Sequence, residues 1–173
     1  MRKRGPPLFF IPGPEHERMI QTRQLIEALQ RQLAGTPRFL VSAEVRPGGK
    51  AVVEVDNAEA PVTMAELAEI NKGLQAEFGE ALDDLELQVG SPGIGRPFKV
   101  EQQYRKHVGK KVEVVLADGR LLQGLLESHD ANGIELRELR PSKVKGRLPK
   151  PSEETTVIPF TGIKAVQADI NIN

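Results

Sequence analysis

The stretch Val89-Gly90-Ser91-Pro92-Gly93-Ile94-Gly95-Arg96-Pro97-Phe98 divides this chain. Its two prolines and three glycines exclude a helix interior or a central strand, because proline lacks a backbone donor and fixes φ while glycine weakens both structures. Ahead of it, Leu85-Glu86-Leu87-Gln88-Val89 alternates apolar and polar residues, the pattern of a half-buried strand. Behind it come Lys99, Tyr104, Arg105 and Lys106, a basic and aromatic lead into a differently patterned half. The chain therefore reads as two folded parts about an interdomain joint, 91–98, carried by Ser91, Pro92, Gly93, Arg96 and Pro97.

Working back from the joint, Thr63-Met64-Ala65-Glu66 has the spacing of a capping box. It opens a helix marked by Leu67, Ile70, Leu74 and Phe78. Gly73 lies inside this helix, where it costs about 1 kcal/mol relative to alanine, which suggests close packing against a sheet. Before it, Phe39 to Val45 and Ala51 to Asp56 flank the turn Pro47-Gly48-Gly49 and form a hairpin. Strict alternation puts Phe39, Val41, Ala43 and Val45 on one face. An amphipathic helix from about Glu15 to Ala34 precedes them, with Met19, Ile26, Leu29 and Leu33 on one face. The order helix-strand-strand-helix-strand needs a shared sheet, so residues 15–90 are expected to form a two-layer α/β domain. Residues 1–14, with Arg2, Lys3 and Arg4 before the run Leu8-Phe9-Phe10-Ile11, read as a flexible arm. That run is too short for a signal peptide or a membrane span.

Working forward, Val100 to Val108 reads as a short helix. Lys111 to Leu116 and Leu121 to Glu127 flank the hairpin signal Asp118-Gly119, and Asn132-Gly133 introduces the strand Ile134 to Leu139. A bend or bulge is expected at Gly124. The segment 140–152 carries three prolines and the bases Arg140, Lys143, Lys145, Arg147 and Lys150 with no acid, so it reads as an enlarged loop. Thr155 to Phe160 and Lys164 to Ile170 complete the strands. Residues 99–173 are thus expected to form a small SH3-like or Sm-like β-barrel, and the whole fold is α+β.

Charge divides along the same line. The 173 residues sum to zero, yet 1–90 hold 10 Lys and Arg against 14 Asp and Glu, and 91–173 hold 14 against 10. An acidic part and a basic part point to different partners. The absence of cysteine excludes disulfides and thiolate chemistry. His16, His107 and His129 show no metal-ligand spacing, and Gly90, Gly93 and Gly95 lack the lysine of a phosphate loop. No catalytic, cofactor-binding or metal-binding residue is assigned, and the protein is expected not to be an enzyme. The basic residues Arg96, Lys99, Arg105, Lys106, Lys143, Lys145, Arg147 and Lys164 are the candidate contacts to RNA, where lysine and arginine neutralise phosphates.

The sequence LQVGSPGIGRPF resembles the interdomain signature of the bacterial ribosome maturation factor RimP family. The resemblance continues through Tyr104, the run HVGKKVEVVL, Gly119-Arg120, Gly124, Ile158-Pro159-Phe160 and Ile163-Lys164-Ala165, and covers roughly Glu15 to Ile170. Three positions depart from the family pattern. Gly95 stands where an acid commonly precedes Arg-Pro, Gly90 stands for a usual serine, and Val166-Gln167-Ala168 replaces a usual Asn-Leu. The resemblance implies a non-enzymatic, cytoplasmic assembly factor that binds the immature 30S small ribosomal subunit and promotes its maturation. Its implied partners are ribosomal RNA and small-subunit protein twelve, with no membrane and a monomeric state. The alternative from the residues is a general Sm-like RNA-binding regulator acting as an oligomer.

Overall fold

The computed structural model describes residues 20–170. The arm at 1–14 and the helix start at 15–19 lie outside the described residues. The first helix, α1 (Thr22–Leu33), buries Leu25, Ala28, Leu29 and Leu33. It packs with α2 (Met64–Phe78) on one face of a three-stranded sheet. That sheet comprises β1 (Arg38–Arg46), β2 (Lys50–Asn57) and β3 (Glu86–Gly90), in the order β1-β2-β3. β1 and β2 are antiparallel, whereas β3 runs parallel to β2. A parallel neighbour requires a crossover connection, and α2 supplies it. The first core gathers Leu25, Leu29, Val53, Val55, Ile70 and Leu74.

The capping box at Thr63 forms as its spacing requires. Glu66 Oε2 accepts from the Thr63 N–H at 2.7 Å, and Thr63 Oγ1 accepts from the Glu66 N–H at 3.2 Å. The Thr63 N–H first, then the Thr63 hydroxyl and the Asn57 side chain, donate to the Glu66 carboxylate and hold it below its ordinary pKa. Glu66 Oε1 also accepts from the buried Asn57 side chain, which ties the end of β2 to the start of α2.

The single face expected for Phe39, Val41, Ala43 and Val45 is interrupted. A register shift between Leu40 and Ser42 makes Val41 an extra residue, and a bulge of this kind reverses the alternation. Leu40, Ala43 and Val45 therefore pack on the first core, while Phe39 lies opposite Asp56 and Ser42 opposite Glu54. Gly73 makes room for the Gln32 side chain of α1, which would sit 2.6 Å from an added Cβ. The close contact is helix on helix and does not involve the sheet.

The second half begins with α3 (Glu101–His107), followed by β4 (Lys111–Leu116), β5 (Leu121–His129), β6 (Gly133–Arg140), β7 (Lys150–Pro151), β8 (Thr156–Pro159) and β9 (Ile163–Ala168). The sheet runs β7-β6-β5-β4-β9, and β8 also pairs with β6. It is not closed into a barrel: β8 and β9 are joined through the 3₁₀ turn Phe160–Gly162 and are not paired with each other. Its core holds Val112, Val114, Leu126, Ile134, Leu136, Ile158 and Val166. The bulge in β5 falls between Leu126 and Ser128 and not at Gly124. The segment 140–152 is less irregular than its composition suggests, because Lys150 and Pro151 pair with Arg140 and Leu139. It is a long hairpin with a turn closed by the Arg147 N–H on the Val144 carbonyl. Among the described residues, no helix is long and apolar enough to cross a membrane.

Candidate functional site

The outer face of the first sheet meets the start of the second half. Val53 and Val55 point into the first core, so Glu54 and Asp56 point the other way, as alternation along a strand dictates. Lys99 Nζ reaches Glu54 Oε2 at 3.2 Å, and Lys106 Nζ reaches Asp56 Oδ1 at 2.9 Å. Glu54 Oε2 also accepts from the Ser42 hydroxyl. The Lys106–Asp56 side chains are only 14% and 15% exposed. Low exposure raises the coulombic strength of such a pair and makes a lone partner costly. These two lysines brace the two halves.

Local sequence explains how α3 is aimed. Gln103 is buried, and its Oε1 accepts from the backbone N–H groups of Lys99 and Val100 at 2.6 and 3.2 Å. Those donors would otherwise be unsatisfied at a helix start. Gln103 thereby fixes the direction in which Lys99 and Lys106 project. Phe98 packs edge-on against Tyr104 at 5.2 Å and lies 4.6 Å from the His107 ring, while Tyr104 meets Phe160 at 5.6 Å. Phe98 and Tyr104 also pack against the second core. Burial raises the Tyr104 phenol above its ordinary pKa.

The joint is seated on the second sheet. Phe98 donates its N–H to the Val166 carbonyl at 2.7 Å, and Pro97 forms a bridge with Gln167. Gly95 sits at φ +74°, a conformation costly for other residues, and a Cβ there would lie 2.5 Å from Ile170 Cδ1. This position is a defined turn and adds no looseness: the next residue, Arg96, donates its N–H to the Gly93 carbonyl. A cavity of about 320 Å³ opens beside it, lined by Ser91, Pro92, Arg96, Asp56, Lys106 and His107 among others.

Burial holds His107 below the ordinary histidine pKa, helped by the charges of Lys110 and Lys106. Its bond to the Gln103 carbonyl and the Asp56 carboxylate act in the opposite direction. With the folded pKa below the unfolded value of about 6.5, the unfolded chain takes up the proton first as pH falls. The stabilisation is complete above pH ~6.5 and is lost below it. In urea titrations from pH 7.5 to 5, the stability gap between the protein and His107→Gln should narrow as pH falls. A gap that is constant with pH would contradict this assignment.

The basic candidates separate into groups. Lys99 and Lys106 are committed to the seam. Arg105 pairs with Glu101 one helical turn away on an exposed surface, where such a pair is worth little. Arg96, Lys143, Lys145, Arg147 and Lys164 are exposed and make no ion pair among the described residues. Lys143, Lys145 and Arg147 gather at the hairpin turn, beside exposed Val144 and Leu148. The partners of Lys99 and Lys106 lie 45 and 50 residues away. The outward alternation of Glu54 and Asp56 was the only sequence signal pointing to them. Among the described residues, no group of three or more His, Cys, Asp or Glu is placed to hold a metal ion.

No protein-family model matches the chain. The chain is similar to the ribosome maturation factor RimP of two strains of Porphyromonas gingivalis. These are 29% and 28% identical over 143 residues, covering 81% of this chain and 93% of each relative. It is also 26% identical over 135 residues to the ribosome maturation factor RimP of Christiangramia forsetii, covering 78% of this chain and 86% of that protein. Alignments of this extent cannot omit either sheet or the joint.

Proposed function

We propose, from the premise that the chain belongs to the RimP family of ribosome maturation factors, that it binds the immature 30S small ribosomal subunit and promotes its maturation without catalysis. The observation that carries this reading is the similarity to proteins of that name along most of both chains. It acts in the cytoplasm as a monomer, with 15–90 and 99–173 as two domains held at a set angle by the joint 91–98. The strand order of the second sheet, with its 3₁₀ turn before the last strand, supports an SH3-like fold for that domain.

The exposed bases divide the work. Arg96, Lys143, Lys145, Arg147 and Lys164 contact ribosomal RNA phosphates, and Arg105 adds a weaker charge. Lys99 and Lys106 are positioning residues that set the angle between the domains. Small-subunit protein twelve is the protein partner, met by the second domain. Each phosphate contact steepens the salt dependence of binding, so a charge-depleted variant separates this reading from a purely structural role. In co-sedimentation with small subunits from cells lacking the factor, Arg96→Ala with Lys143→Ala, Lys145→Ala and Arg147→Ala should bind at least ~10-fold more weakly near 0.15 M salt. The slope of log affinity against log salt should fall by about 3. Unchanged binding would remove these residues from the docking face.

The oligomeric Sm-like reading is disfavoured by the joint. A ring built by strand addition needs a free edge at each end of the sheet. Here the joint covers part of the β9 edge through the Phe98 to Val166 bond.

A further inference from the structure

The opposite edge of the second sheet is different in kind. β8 pairs with β6 on one side, and no described strand pairs on its other side. Phe160 donates its N–H to the Asn132 carbonyl at 2.8 Å, and Ile158 lies opposite Ile134. Backbone direction alternates along a strand, so Thr156 and Ile158 face β6. Val157 therefore turns its N–H and carbonyl outward, and Pro159 its carbonyl. The Val157 side chain is 75% exposed, although valine is the residue type a strand partner covers most readily.

The charge beside this edge is opposite to that of the half it belongs to. Glu153 and Glu154 lead into β8 and are exposed. Glu135 lies opposite Val157, and bonds from Thr155 and then Ser128 hold its carboxyl below the ordinary range, so it stays charged. Asp130 lines the same small cavity as Val157 and Pro159. Of the two cations on β6, Arg137 is the nearer in register and is engaged by Glu127 and by the carbonyls of Ser152 and Glu153. Phosphate would be repelled here.

We propose that β8 is a docking edge for an extended, lysine- and arginine-rich protein segment, which adds as a further strand through the outward N–H and carbonyl of Val157 and the carbonyl of Pro159. Strand addition of this kind draws affinity from main-chain bonds and selectivity from neighbouring side chains. The acids at 153, 154, 135 and 130 supply the selectivity for a basic segment. The edge and its charge carry the inference independently of the ribosome reading, so peptide binding and subunit sedimentation can fail separately.

The test uses the full chain and a ten-residue peptide of alternating lysine and valine, with its glutamate-for-lysine counterpart as control. The basic peptide should bind, slow amide exchange at Val157, and lose affinity as salt rises, while the acidic peptide should not bind. Val157→Pro removes the outward donor at an edge position where proline is tolerated, and should weaken binding at least tenfold. Glu153→Lys with Glu154→Lys alters only exposed side chains and should do the same. Equal binding by both variants, binding of the acidic peptide, or an unprotected Val157 amide would overturn the proposal. So would peptide binding that emerges only after deletion of residues 1–14, because the chain's own basic arm would then be the occupant.

Discussion

Lys106→Met should lower the stability of the protein by about 2–3 kcal/mol, because it strands the Asp56 carboxylate in a seam with little access to water. Asp56→Leu should cost a similar amount for the converse reason. The double variant should recover most of the loss, since two apolar side chains fill the space without an unpaired charge. The coupling in a double-mutant cycle is expected to be on the order of 1–3 kcal/mol, measured from urea unfolding. A coupling indistinguishable from zero would mean that the 2.9 Å contact does not bind the halves together. Lys99 provides a comparison: it is 48% exposed while its partner Glu54 is 16% exposed, so Lys99→Met should cost under ~1 kcal/mol. If the seam sets the angle between the halves, Lys106→Met should also weaken co-sedimentation without changing its salt slope. Removal of phosphate contacts changes both.

Gly124→Ala should destabilise the second sheet by about 2–3 kcal/mol, the range for forcing extra volume into a packed interior. A Cβ at this position would lie 2.6 Å from the Arg137 carbonyl oxygen and 2.8 Å from Leu136 Cγ. The first obstacle is backbone held in the β5–β6 ladder, where Gly124 lies opposite Glu138, so it cannot move aside cheaply. Gly90→Ala offers a contrast, because nothing lies within 4 Å of a Cβ there, and its cost should stay under ~1 kcal/mol. Thermal or urea unfolding of the two variants checks the pair of values. Similar losses at both positions would contradict the close approach of β5 and β6.

Local chemistry made much of this fold legible. The capping box at Thr63, the turn at Asp118-Gly119, and the break at Pro92 and Pro97 each depend on a few adjacent residues. Position along the chain therefore reports them directly. Gly133 of the expected Asn132-Gly133 turn is instead the first residue of β6, and the turn precedes it. The alternation of Phe39, Val41, Ala43 and Val45 was misleading for a physical reason. One extra residue at Val41 reverses every later side chain, and nothing in the identity of a valine marks it as extra. Gly73 and Gly124 were visible as unusual residues, but their neighbours, Gln32 and Arg137, come from other elements.

The candidate surface follows the same division. The sequence by itself determined two parts of opposite charge about a proline-glycine joint, and a basic segment at 140–150, since composition and turn chemistry are properties of the chain. Only the tertiary structure decided which charges are spoken for. Lys99 and Lys106 read as free bases until β2 placed Glu54 and Asp56 against them. The bases of the hairpin turn and Arg96 make no ion pair among the described residues. The edges were decided there too: Phe98 covers part of β9, whereas β8 keeps its outward backbone. Pairing across 45 or 50 residues depends on how sheets stack and which face a bulge turns outward, and no local pattern encodes it.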